Sequence, residues 1–301
     1  MSLVLKNVSK KFIDKLAVDN ISLELDKPGV FGLLGTNGAG KTTTIRMLLG
    51  IIKKNSGDIT WNGKTVERKN VRFGYLPEER GVYPKAKVYD QLMYFAKLKG
   101  MNKNEADKEI RKWAKVLGVD IYLDMAAEKL SKGNQQKVQI ATALIHDPEL
   151  IVLDEPFSGL DPVNVELLKN VIIDLVAKGK YIIMSAHQMI VIEEFCSDIL
   201  ILNKGKTVLQ GNLKEIKNTY KSNRLELFVD KNIDSYIKEL NMEIENEVDG
   251  NYVIKIDGEE KAETLLAKLV ADNVKIYKFE LKKPSLNDIF IEKTTSEKVG
   301  G

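Results

Sequence analysis

The chain is short of the residues that staple or anchor a protein. It has one cysteine, Cys196, in 301 residues, so no internal disulfide can form. That suits a reducing compartment. The opening MSLVLKNVSK lacks the apolar h-region of a secretory signal. No apolar run approaches the ~18 residues of a membrane span. The expectation is a cytoplasmic protein whose membrane role, if any, comes through a partner. Excess charge is also missing. A formal charge of +3 is small for this length and gives no basic footprint for nucleic acid. Neither internal repeats nor low-complexity tracts are present.

What the chain does have is core. Hydrophobic residues make up 44% and charged residues 30% of it, a composition that packs rather than stays disordered. The length suits one large domain and a smaller one. Residues 3–25 read as short strands. GVFGLLG then reads as a buried strand running into a glycine loop and a helix near Lys41, and DITWNGKTV carries an Asn62-Gly63 hairpin signal. From Val88 to about Gly118 the pattern is helical and amphipathic. ELIVLDEP and YIIMSAH are further buried strands, separated by a helix ending at Gly179. Strands alternating with helices predict an α/β fold with a mostly parallel sheet covered on both faces.

Near Gly211 the character changes. The pattern predicts a first domain over 1–215, with a helical subdomain at about 80–145, a linker over 216–223 and a small α+β domain over 224–301. The β-α-β-β-α-β order of that last stretch is ferredoxin-like.

The strongest local signal is GTNGAGKT, Gly35 to Thr42. It fits G-x-x-x-x-G-K-[ST] between a strand and a helix, the context that a P-loop requires. Gly35, Thr36, Asn37, Gly38, Ala39 and Gly40 bring backbone N–H groups close to phosphate oxygens, and Thr43 extends the same turn. Lys41 is expected to reach the β/γ-phosphates, and the Thr42 hydroxyl to face Mg²⁺. An ordinary glycine turn is the competing reading. IVLDE supplies the carboxylates a P-loop needs: Asp154 on the metal side, and Glu155 to orient or deprotonate the attacking water. LSKGNQQKVQ, from Leu130, opens a helix with polar residues and a glycine, a start that suits an anion.

These elements in this order resemble the nucleotide-binding subunit of ATP-binding cassette (ABC) transporters, from about Leu3 to about Asn212. The family's signature Leu-Ser-Gly-Gly-Gln stands here as Leu130, Ser131, Lys132, Gly133 and Asn134. The resemblance implies ATP and Mg²⁺ as ligands and a head-to-tail pair of cassettes, homodimer or paired cassette. Each signature, with the Ser131 hydroxyl and the Gly133 amide as donors, would cap ATP held by the other P-loop. It further implies that Phe12 stacks on adenine, that Ser158–Asp161 communicate between sites, and that His187 contacts the γ-phosphate. A separate integral membrane permease is the expected partner, placing the subunit on the inner face of the cell membrane, and no nucleic acid is expected.

Two departures matter. YLPEERG places Glu78 where the family usually has glutamine, and Lys132 replaces the first signature glycine. Both variants resemble a bacterial two-component exporter subgroup of the sodium-efflux type. Glu78 is expected to join the metal ligands, against a reading in which it faces solvent or pairs with Arg80. Trp61 and Trp113 read as core, with a partner contact as the lesser reading of Trp113, and His146 as a helix C-terminal cap. The alternatives to a transport ATPase are a soluble non-transport ABC ATPase and a catalytically inactive regulatory cassette. Against the first stand the single cassette and the short, heptad-free stretch between P-loop and signature. Against the second stand Lys41, Asp154, Glu155 and His187.

Overall fold

The computed structural model describes residues 2–67, 71–79, 81–187 and 189–299. The chain divides into two compact units, Met1–Gln210 and Gly211–Gly301.

The first unit runs β1 (Leu3–Phe12), β2 (Lys15–Leu25), β3 (Gly29–Gly35), α1 (Lys41–Leu48), β4 (Ser56–Trp61), β5 (Lys64–Thr65), β6 (Phe73–Leu76), α2 (Val88–Leu98), α3 (Lys103–Val116) and α4 (Lys132–Leu144). It continues with β7 (Leu150–Asp154), α5 (Pro162–Ala177), β8 (Tyr181–Ala186), α6 (Met189–Phe195), β9 (Asp198–Asn203) and β10 (Lys206–Asn212). An antiparallel sheet has the order β2-β1-β4-β5. Its β4–β5 hairpin turns at Asn62 and Gly63, both with positive φ, as the Asn-Gly signal predicts.

The second sheet has the order β10-β9-β3-β8-β7-β6, and its strands from β9 to β6 run parallel. Strands β7 and β8 are buried at every position. Unbroken apolar runs such as LIVL and YIIM offer no polar face to water, so they require cover on both sides. On one side Phe31, Leu33, Val152 and Ile183 share a core with Leu3, Leu5 and Ile21 of the antiparallel sheet and Ile45 and Leu48 of α1. On the other, α6 packs on β3 and β8, and α4 packs on β6. Trp61 belongs to the core, edge-on to Tyr181 at 5.2 Å. Trp113 is buried on α3, whose start carries an Asn102–Glu105 capping box.

The second unit runs α7 (Leu213–Asn218), β11 (Arg224–Val229), α8 (Asp234–Glu239), β12 (Glu243–Val248), β13 (Asn251–Lys255), α9 (Glu259–Ala271), β14 (Ile276–Lys282) and α10 (Leu286–Val299). Residues 216–223, expected as linker, thus include the end of α7. The sheet order is β12-β13-β11-β14 with every neighbour antiparallel, which is the ferredoxin-like arrangement. Leu225, Leu227, Tyr252 and Ile254 pack on Leu265 and Leu269 of α9. Arg224 and Glu226 of β11 and Lys278, Glu280 and Lys282 of β14 alternate with these, with Arg224 bonded to Glu245 at 2.6 Å and Lys278 to Glu226.

Candidate active site

The P-loop forms where β3 leaves the sheet. Gly40 has φ 108°, and a Cβ there would lie 2.7 Å from the Ala17 carbonyl oxygen, so the position admits only glycine. Gly40 is also the cap position of α1, which has no side-chain cap and no acidic residue in its first turn. The helix therefore presents unpaired N–H groups and its positive end to whatever lies beyond. Lys41 follows, buried, donating to the carbonyl oxygens of Gly35 at 2.7 Å and Thr36 at 3.4 Å. Its Nζ lies 3.6 Å from Glu155 Oε1.

The carboxylates stand at the end of β7, beside Ser185 of β8. A single hydroxyl orders both of them. Ser185 Oγ donates to Asp154 Oδ1 and accepts the Glu155 backbone N–H at 3.0 Å. Asp154 is fully buried, and its Oδ2 has no partner among the described residues. Burial pushes its pKa up, the Ser185 hydrogen bond pulls it down, and the Glu78 charge raises it again. Glu155 has φ 54°, a left-handed conformation costing a non-glycine residue about 1–3 kcal/mol. Its carboxylate is shared between Lys41 and His187, whose Nδ1 lies 2.8 Å from Oε2.

A cleft of about 330 Å³ opens over α1. The predicted P-loop residues Asn37 to Thr43 line it, and so do Phe12, Glu78 and Glu155. Phe12 is half exposed, with Lys10 Nζ 4.9 Å from its ring centre. Gly35 and Thr36 contribute the carbonyls that hold Lys41. His187 lines a neighbouring cleft of about 300 Å³ with Ser158, Gly159 and Leu160, and Glu155 borders both. Arg80, the competing partner for Glu78, lies outside the described residues.

The residues Thr42, Asp154 and Glu78 fit a hard dication. All offer oxygen, and the orphaned Asp154 Oδ2 is a buried acceptor that such an ion would satisfy. No group of three or more His, Cys, Asp or Glu forms a ready-made metal cage among the described residues.

Ser131, Gly133 and Asn134 are elsewhere. None of them lines the α1 cleft. Ser131 caps α4, accepting the Asn134 N–H at 3.3 Å, and is exposed together with Lys132. Further along α4, Gln136 Nε2 donates to the Pro156 carbonyl at 3.3 Å and Gln139 Nε2 to the Glu79 carbonyl at 3.5 Å. His146 corrects an expectation. Its Nε2 bonds Phe73 O of β6 at 2.7 Å rather than the last carbonyls of its own helix, and burial lowers its pKa to about 4. Sequence reasoning also missed Lys15 and Ala17, which line the cleft from β2, and Ser185. Only Ser185 left a signal, as a lone hydroxyl in the apolar run YIIM-S-A before His187.

Residues 18–158 match a family described as ABC transporter, and residues 211–294 match one described as ATP-binding protein DrrA1-3-like, C-terminal domain. The chain is 46% identical to the uncharacterized ABC transporter ATP-binding protein YhaQ of Bacillus subtilis (strain 168), over 97% of this chain and 98% of that one. It is 34% identical to the ABC transporter ATP-binding protein NatA of the same organism, over 74% of this chain and 94% of NatA. A solved ATP binding subunit of an ABC transporter shares the fold with a TM-score of 0.67 at 28% identity, over 73% of this chain and 93% of that chain. With a P-loop cleft facing two strand-end carboxylates, and a relative this similar over nearly its whole length, the chain belongs to the ATP-binding subunits of ABC transporters and is an ATPase.

Proposed function

We propose that the α1 cleft binds ATP with its phosphates on the start of α1, and that Glu155 activates the water that attacks the terminal phosphate. The observation that carries this reading is the meeting, in one cleft, of an uncapped helix start, the Lys41 ammonium and the Glu155 carboxylate. Lys41 is satisfied by the Gly35 carbonyl and Glu155. Phosphate oxygens are stronger acceptors and draw the ammonium to themselves. That leaves Glu155 to accept the proton of the attacking water, with His187 on its other oxygen. Phe12 supplies the adenine platform. Thr42, Asp154 and Glu78 would hold Mg²⁺, which when bound neutralises phosphate charge.

The signature at Ser131, Gly133 and Asn134 serves the ATP of a second cassette. Its support is negative geometry: these residues do not line their own cleft, while their exposed helix start carries anion-ready N–H groups. The subunit then closes head to tail around two ATP and drives a separate membrane permease from the cytoplasmic side. No helix among the described residues is long and apolar enough to cross a membrane itself. Export is the favoured direction, because the YLPEERG and LSKGNQQKVQ wording resembles two-component exporters. The cassette comprises residues 1–215, and the ferredoxin-like unit is an accessory domain.

Glu155→Gln tests the central assignment, since it keeps the shape and removes the base. ATP should bind with parental affinity while hydrolysis falls on the order of a thousandfold. Hydrolysis at the parental rate would show that Glu155 is not the base.

A further inference from the structure

The backbone of Glu155 sits in the left-handed region, at φ 54°, and such a residue stays there only where its surroundings hold it. On its N-terminal side, the Ser185 hydroxyl takes the Glu155 N–H at 3.0 Å. On its C-terminal side the next residue is Pro156, which has no N–H with which to anchor itself. Two bonds hold that side: Ser158 N–H to the Glu155 carbonyl at 3.1 Å, and Gln136 Nε2 to the Pro156 carbonyl at 3.3 Å. The first lies within the loop and moves with it. The second is the anchor from outside, and it comes from a buried side chain on α4.

Lys41 and His187 also grip Glu155, but they do so through its carboxylate. Of the two, Lys41 is the group that phosphate oxygens would draw away. The amide of Gln136 is neutral and turned toward a carbonyl, so nucleotide does not compete for it. We propose that Gln136 is a positioning residue for hydrolysis: by holding the Pro156 carbonyl it keeps the Glu155 carboxylate aimed into the cleft. The tether also has a direction. Gln136 lies five residues after Ser131, about 7 Å along the helix. A ligand landing on the start of α4 thereby acts on the carboxylate of the same chain. Gly133 supports that path, because a Cβ added there would lie 3.8 Å from Leu160 of the same loop and from Asn164 in the first turn of α5.

This inference rests on Glu155 being the base, so Glu155→Gln is measured beside two variants of the tether. Gln136→Met keeps the volume and loses the donor. Gln136→Glu keeps the shape and sets an acceptor against the Pro156 carbonyl. For Gln136→Met, kcat should fall about tenfold, the scale of a lost buried hydrogen bond. KM and the affinity for a fluorescent ATP analogue should stay close to the parent, and the melting midpoint should fall by only the few degrees that one lost buried hydrogen bond costs. Gln136→Glu should fall further with the same split, and it decides the matter if Gln136→Met does not fold. Parental kcat in Gln136→Met, or a fall in kcat matched by an equal loss of ATP affinity, overturns the positioning role while leaving Glu155 in place. Parental hydrolysis in Glu155→Gln removes the base assignment, and the inference with it.

Discussion

Two helices of the first unit begin in nearly the same way and do different things with it. Helix α1 starts after Gly40 with no side-chain cap, and its first turn lines the cleft. Helix α4 starts after Ser131, which caps the Asn134 N–H itself, and its opening residues line no part of that cleft. A helix start is a generic anion site; what makes one specific is the company it is given. Around α1 the fold gathers Lys41, Thr42 and the two carboxylates at the end of β7. Around α4 it leaves Ser131 and Lys132 exposed. One start is a finished half of a site, and under the proposed function the other is completed by a second cassette.

The largest expected effect comes from removing the company of α1. Lys41→Ala leaves the N–H groups of α1 in place but deletes the ammonium that bridges Gly35 and Glu155. ATP hydrolysis should fall by on the order of a hundredfold or more. A steady-state assay checks it, and near-parental activity would reduce α1 to a bare helix start.

The complement of α4 is tested by mixing. Ser131→Arg blocks a signature and Lys41→Ala disables a P-loop, so each variant alone should be nearly inactive. In a mixed pair, one site combines an intact P-loop with an intact signature. Random pairing should return about a quarter of parental activity if the two sites act independently. No return on mixing, or full activity of the parent at dilutions where it is monomeric, would mean that α4 does not serve a second cassette.

Much of this contrast was legible in the sequence, for a physical reason. A P-loop is a local device, and strand, glycines, Lys41 and Thr42 all lie between Gly29 and Thr42. The unbroken apolar runs of β7 and β8 announce burial on both faces, and the carboxylates follow directly. Features made by distant pairing were not legible. Strand β6 has four residues, too few for any periodicity to register. Ser185 meets Asp154 across a gap of 31 residues and His146 meets Phe73 across 73, and nothing local says which residue each one meets. Lys15 reaches the cleft only because the β1–β2 pairing sets it opposite Phe12.

The far ends of the two helices differ as well. Helix α1 is held by core contacts of Ile45 and Leu48, which do not titrate. Just beyond α4, buried His146 is tied to Phe73 O of β6, with a pKa lowered from 6.5 to about 4 by burial. Because the folded pKa is depressed, the unfolded chain binds more protons between those values, and stability falls as pH falls. Roughly 3 kcal/mol should be lost between pH 6.5 and 4. Melting of the parent against His146→Gln over that range checks it. Parallel curves would show that His146 does not contribute to the acid sensitivity.

The smallest expected effect lies where the surroundings of the two helices meet. Glu78 lines the cleft of α1, and the carbonyl of Glu79, the next residue, accepts Gln139 Nε2 of α4 at 3.5 Å. The family usually has a glutamine at position 78, a neutral carbonyl ligand. A carboxylate there is a stronger ligand for a hard dication. It also adds negative charge beside the buried Asp154, whose pKa it already raises. With Mg²⁺ present the extra charge helps hold the metal; without Mg²⁺ it repels the triphosphate. ATP affinity should therefore depend more steeply on Mg²⁺ in the parent than in Glu78→Gln, by about fivefold across the titration. Hydrolysis should survive the substitution, because proton abstraction is proposed for Glu155. ATP binding titrated at several Mg²⁺ concentrations in both proteins measures the difference. Superimposable curves would leave Glu78 as a lining residue without contact to the metal, and the loop would join the two helices through the Glu79 carbonyl alone.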